Sequence, residues 1–172
     1  FEYDLLPDIR PQPSISAWLK DEAELGKLLE NHDLSESERS ALVKLRMGQS
    51  DYRQQLIERW GGCSVTGCKL TELLIASHIL PWAKCDNAAK RWDPDNGLLL
   101  TPNLDKLFDR GLIGFDDNGN VIISPGLTRG QMHHLGVDQN IRLRRDVLHK
   151  HLGIRKYMKL HRESNGLKPA GA

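Results

Sequence analysis

Long apolar runs are missing from this chain of 172 residues, and so is any strong net charge, which stands at +1. No stretch approaches the roughly 18 apolar residues that a membrane-spanning helix needs. No signal-peptide pattern opens the sequence. Cysteine is scarce: Cys63, Cys68 and Cys85 make an odd set without regular spacing. That set excludes a disulfide framework and points to a reducing, cytoplasmic compartment. It also disfavours zinc, because no further ligand completes a structural site. Cys63 and Cys68 read instead as small buried residues flanking a tight Thr66-Gly67 turn. What remains is the composition of an ordinary globular domain, long enough to bury a real core, with room for an appendage.

The mean charge hides an uneven distribution. Acids outnumber bases in residues 1–40, whereas residues 140–162 carry Arg142, Arg144, Arg145, Lys150, Arg155, Lys156, Lys159 and Arg162 against Asp146 alone. A basic segment of this kind is the footprint of phosphate binding, and it is equally the pattern of a solvated helix face.

The most informative stretch runs from Cys63 to Asp109. Leu73 to Leu80 reads as a half-buried strand closed by Pro81. Asp93-Pro94-Asp95-Asn96-Gly97 is turn chemistry, with Asn-Gly favouring positive φ. Leu98 to Leu100 reads as a short buried strand. Thr101 and Pro102 are an N-cap and a first-turn proline. Leu104, Leu107 and Phe108 form the apolar stripe of the helix they open, and Gly111 ends it. On this frame His78 closes the first strand, Asn96 precedes the second, and Asp105 and Asp109 lie one turn apart on one helix face. A base of near-neutral pKa beside hard oxygen ligands is what metal-assisted phosphodiester hydrolysis requires. Each residue also has a plainer reading. A strand histidine is usually a core residue, Asn96 suits a turn, and Asp105 suits the positive end of a helix.

With these pieces in order, the stretch resembles the HNH nuclease motif, the ββα-metal finger, and within it a branch with a Cys-x-x-Thr-Gly opening and a Leu-Asp-x-Leu-Phe-Asp helix. The resemblance extends to Arg46-Met47-Gly48-Gln49 and Tyr52-Arg53 upstream and to His161-Arg162 near the end. It implies that His78 is the catalytic base, that Asn96 steadies the loop and orients it, and that Asp105 and Asp109 hold the metal. Ser77 stands where many family members have a ligating Asp or His, and Asp105 stands where the last His falls. An oxygen-only set implies Mg²⁺ or Mn²⁺. It also implies DNA contacts from Arg46, Gln49, Arg53, Arg142, Arg144, Arg145, Arg155, Lys156, Lys159 and Arg162. Domains of this type commonly sit beside a DNA-reading module in restriction or phage-defence nucleases, and Phe1 in place of an initiator Met suits a piece of a longer chain. Symmetric double-strand cutting would call for a homodimer.

The flanks complete the expected α+β architecture: a ββα finger with an extra β-hairpin, embedded in helices. Residues 1–34 read as an extended proline-bearing segment and an amphipathic helix over 16–31, a linker or an arm. The nuclease domain is expected over 35–163. It starts with a Ser35/Glu38 capping box, and Gly48 is expected to interrupt that first helix. Residues 111–124 read as a hairpin turning at Asn118-Gly119. Residues 128–134 and 146–160 read as helices, with His133 and His134 on the surface, and 164–172 as a disordered tail. Two rivals stand beside the nuclease: an HNH-fold module that only binds DNA, and an interaction domain that uses the acidic N-terminal helices.

Overall fold

The structure, a computed structural model, describes residues 35–169; the predicted N-terminal helix and the end of the predicted tail lie outside them. The architecture is α+β, as expected. Helix α1 (Glu36–Trp60) opens on the predicted capping box: Ser35 Oγ accepts from Glu38 N, and Glu38 returns a carboxylate oxygen to Ser35 N. It closes on Gly61 at φ 62°, the left-handed cap that glycine adopts without a Cβ clash. Gly48, Tyr52, Leu56 and Trp60 are all buried, so one residue per turn forms the stripe that faces the core.

Gly48 does not interrupt the helix. A Cβ there would stand 2.6 Å from the Trp92 ring, so this glycine permits close packing rather than a bend.

Strands β1 (Ile75–His78) and β2 (Gly97–Leu100) pair antiparallel, with Ile75 opposite Leu100 and His78 opposite Gly97. The first strand is shorter than predicted. Its run begins with a 3-10 turn over Thr71–Leu73, and after His78 the Ile79 N–H donates to Asn96 O. The Asn96-Gly97 pair does not form a positive-φ turn either: Asn96 ends a 3-10 turn (Pro94–Asn96), and Gly97 is extended at φ −139°. The glycine is required by space, since a Cβ would fall 2.4 Å from Tyr52 Oη and 2.6 Å from Leu56. Leu98, Leu99 and Leu100 are fully buried, and Ser64 pairs with Leu99 on the far edge of β2 through both N–H groups.

A five-residue helix α2 (Ala88–Trp92) lies in the connection between the strands. Helix α3 (Pro102–Asp109) follows β2, buries Leu104, Leu107 and Phe108, and stops before Gly111 at φ 64°. The predicted hairpin forms from β3 (Ile113–Phe115) and β4 (Val121–Ile123), turning at Gly119, as a second two-stranded sheet. Helix α4 (Arg129–His134) has its own capping box at Thr128 and Gln131.

The helix predicted over 146–160 is two helices, α5 (Arg145–Leu148) and α6 (Gly153–Asn165). A Cβ at Gly153 would meet the Asp95 carboxylate at 1.9 Å, so the start of α6 comes close onto an acid that its positive end favours. Order also continues past Ser164: α6 runs to Asn165, and Leu167 is buried against Gly114. Among the described residues no helix is long and apolar enough to cross a membrane.

Replacing Gly97 by alanine should destabilise the fold by about 1–3 kcal/mol, because Tyr52 and Leu56 are both held in the core. Urea unfolding at neutral pH measures this, and an unchanged midpoint would show that the packing is looser than described.

Candidate active site

The candidate site is assembled by the loop that leaves β1 and returns to β2. The strand pairing ends at His78, Pro81 leads into a 3-10 turn over Trp82–Lys84, and α2 brings the chain back. A loop of this length has many backbone groups to satisfy, and one side chain satisfies several of them. Asn96 is 0% exposed. Its Oδ1 accepts from Leu80 N at 2.7 Å. Its Nδ2 donates to Lys90 O at 3.0 Å and to Leu80 O at 3.3 Å, with Cys85 Sγ at 3.5 Å. Asn96 therefore ties the start, middle and end of the loop to the head of β2, and its buried amide is satisfied by those partners.

His78 is held from three sides. Its Nε2 lies 2.8 Å from Arg91 O. A carbonyl oxygen only accepts, so Nε2 carries the proton and the lone pair is on Nδ1. The ring stacks on Tyr52, with centroids 4.5 Å apart and planes at 13°. Trp82 stands edge-on to it at 5.6 Å. Tyr52 in turn donates its hydroxyl to Asn96 O at 2.9 Å. Burial pushes the His78 pKa below the usual histidine value, and the Arg91 carbonyl acts the other way. The imidazole is thus neutral at pH 7, with one nitrogen occupied and one able to take a proton. Lys90 O and Arg91 O belong to successive peptides, so the residue that orients His78 is adjacent to one that Asn96 grips.

Asp105 and Asp109 are half-buried on α3. Asp109 is close enough to His161 for its charge to favour the protonated ring there. Among the described residues no three His, Cys, Asp or Glu side chains gather as a ready-made metal cage. Two carboxylates on adjacent turns suit only a hard cation that completes its shell with water and phosphate oxygens, the habit of Mg²⁺. The three cysteines are free thiols. Cys63 and Cys68 close their turn through Cys63 N to Cys68 O, while Cys85 lies under Asn96.

The basic residues divide into two groups. Arg53 donates to Leu74 O and Thr71 O, fastening the turn before β1 onto α1. Arg144 donates to Trp60 O and pairs with Asp146. Arg162 is 9% exposed, donating to Phe115 O and pairing with Asp117 at 2.8 Å. These three hold the fold together, so the sequence expectation that they face DNA is corrected for their guanidinium groups. His161 is internal as well, stacked on Phe108 at 3.9 Å with Nε2–H on Phe108 O. Arg46, Arg142, Arg145, Lys156 and Lys159 are exposed, and Gln49 and Arg155 are half-buried.

Sequence reasoning included Tyr52 in the resemblance without giving it a role, and passed over Trp82 and the Arg91 carbonyl. The aromatic signal is present in the sequence, but nothing in the spacing says that Tyr52, on a distant helix, lies flat on His78.

Asn96→Ala should lower stability by about 2–4 kcal/mol, since the Leu80 N–H and Lys90 O lose a buried partner. It should also move the His78 pKa, followed by NMR, further below the ordinary histidine value, because the Arg91 carbonyl that supports the charged ring is released. An unshifted His78 resonance would show that the loop holds its shape without the amide.

Residues 63–116, which include both strands, the loop, α3 and β3, match the family model of the HNH endonuclease. No curated protein matches the chain. The segment that carries His78, Asn96, Asp105 and Asp109 is therefore similar to HNH endonucleases, and the match supports a nuclease, that is hydrolase, activity for it.

Proposed function

We propose that this protein is a metal-dependent DNA endonuclease that hydrolyses phosphodiester bonds, with His78 as its general base. The observation that carries this reading is the fixed tautomer of His78: Nε2–H on a backbone carbonyl and a neutral ring with its lone pair on Nδ1. A base must be unprotonated at working pH and held in one orientation, and the stack on Tyr52 supplies the second condition.

In the proposed step Nδ1 takes a proton from water. The water oxygen forms a bond to phosphorus, and the bond from phosphorus to the leaving sugar oxygen breaks. That oxygen takes its proton from solvent. Asp105 and Asp109 would hold Mg²⁺ or Mn²⁺, which when bound supplies charge neutralisation at the phosphate. Asn96 acts through the loop, setting the peptide next to the one that orients His78. Arg46, Gln49, Arg142, Arg145, Arg155, Lys156 and Lys159 would add sequence-independent phosphate contacts whose strength falls with salt. A role in restriction or phage defence, beside a DNA-reading domain and as a homodimer that cuts both strands, extends the same reading.

One observation favours a second reading. The thin donor set, with Ser77 buried and no third ligand gathered among the described residues, fits a module that holds DNA without cutting it. Plasmid cleavage with Mg²⁺ or Mn²⁺ separates the two: retention of plasmid on a gel without nicking supports the binding module.

On the endonuclease reading, His78→Ala should reduce the cleavage rate by about 100-fold or more. Equal rates would remove His78 from the mechanism. The pH profile gives a second check. Burial lowers the His78 pKa, so the active neutral form persists down to pH values below the ordinary histidine pKa of about 6.5. The acid limb of kcat/KM should accordingly fall below that value. An acid limb at or above neutrality would mean that another group is titrating.

A further inference from the structure

We propose that Lys84 is a catalytic residue of the same centre, contacting a non-bridging oxygen of the scissile phosphodiester and stabilising the charge that builds there. This rests on the endonuclease reading and goes beyond it by adding a group outside the motif's histidine, asparagine and carboxylates.

The inference comes from comparing the cations of the loop. Lys90 is paired with Asp86 at 2.8 Å. Arg91 donates to Cys85 O and lies over the Trp82 ring at 5.2 Å. Lys84 is exposed, and no carboxylate among the described residues forms an ion pair with it. A loop that carries three cations and commits two of them locally leaves the third for an outside anion.

Its backbone is nevertheless fixed. Lys84 N donates to Pro81 O at 2.8 Å, and Cys85 N to Trp82 O at 3.1 Å. Asn96 grips Leu80 on one side of it and Cys85 and Lys90 on the other. The same short turn holds Trp82 against His78, so Lys84 sits two residues from a side chain that touches the base. From the opposite side, His161 stacks on Phe108, next to Asp109. The ammonium is thus carried by the same turn that sets Trp82 against His78.

The chemistry of that region gives the lysine its use. Two carboxylates facing a phosphodiester are all of one sign, and a cation held near the developing negative charge is worth more there than in bulk water. Lysine suits the position because its ammonium is a compact charge on a flexible stem that can follow the phosphate.

The test is steady-state cleavage of a short DNA duplex by the full chain with Mn²⁺, together with binding of the same duplex in EDTA. Lys84→Ala should lower kcat by about 10- to 100-fold, the scale of losing one donor to a transition state, with duplex binding in EDTA within about threefold of wild type. Lys84→Arg should recover part of that loss. Lys44→Ala removes an equal charge from an exposed position on α1 and should change kcat by less than about twofold. An unchanged thermal midpoint for Lys84→Ala confirms that the fold is intact. If Lys84→Ala keeps the wild-type kcat, or if its loss of rate is matched by an equal loss of binding, Lys84 is not catalytic while the endonuclease reading stands. A wild-type chain that does not cut would overturn both.

Discussion

The arrangement of the candidate site depends on the buried carboxamide of Asn96. A loop between two short strands has no sheet or long helix to occupy its backbone groups. In a water-poor interior each unmet N–H or C=O would cost about 1–3 kcal/mol. Asn96 meets that demand at Leu80 and Lys90, with the Cys85 thiol also in reach. Its own backbone carbonyl receives Tyr52 and Ile79. The residue thereby joins helix α1, the two strands and the loop at one point, which explains why a polar side chain occupies the core.

From that point the state of His78 follows. Tyr52 is placed by its bond to Asn96 O and presents a flat face to the imidazole. Arg91 O is placed by the loop and selects which nitrogen keeps the proton. Burial then disfavours the charged ring. No carboxylate is needed to orient this histidine; a backbone dipole and an aromatic stack do it, and neither adds charge that would hold the proton on the ring.

The basic C-terminal segment shows why a run of cations is weak grounds for a binding surface. Arg162 and Arg144 carry the same charge as Arg142 and Arg145, yet the first two satisfy carbonyl oxygens of Phe115 and Trp60 inside the fold. A guanidinium has several donors in a plane, so it can close gaps between backbone elements as readily as it can face a phosphate. Arg53 does this for the turn over Thr71–Leu73. Only burial separates the two uses, and burial is not written in charge.

Much of the frame was legible from residue types alone. The capping box at Ser35, the apolar stripe of α3 and the turn at Gly119 are local, each set by contacts within a few residues, and each appears as expected. Features whose cause lies far along the chain were not legible. Gly48 reads as a helix breaker until Trp92 is seen filling the space of its missing side chain, and Gly97 reads as a turn residue until Tyr52 and Leu56 are seen against it. The glycine at the start of α6 leaves room for Asp95, more than 50 residues upstream. The sequence determined which short-range hydrogen bonds and apolar faces would form. The tertiary structure decided which polar groups lost their water, and with that which histidine tautomer, which arginines and which glycines the site required.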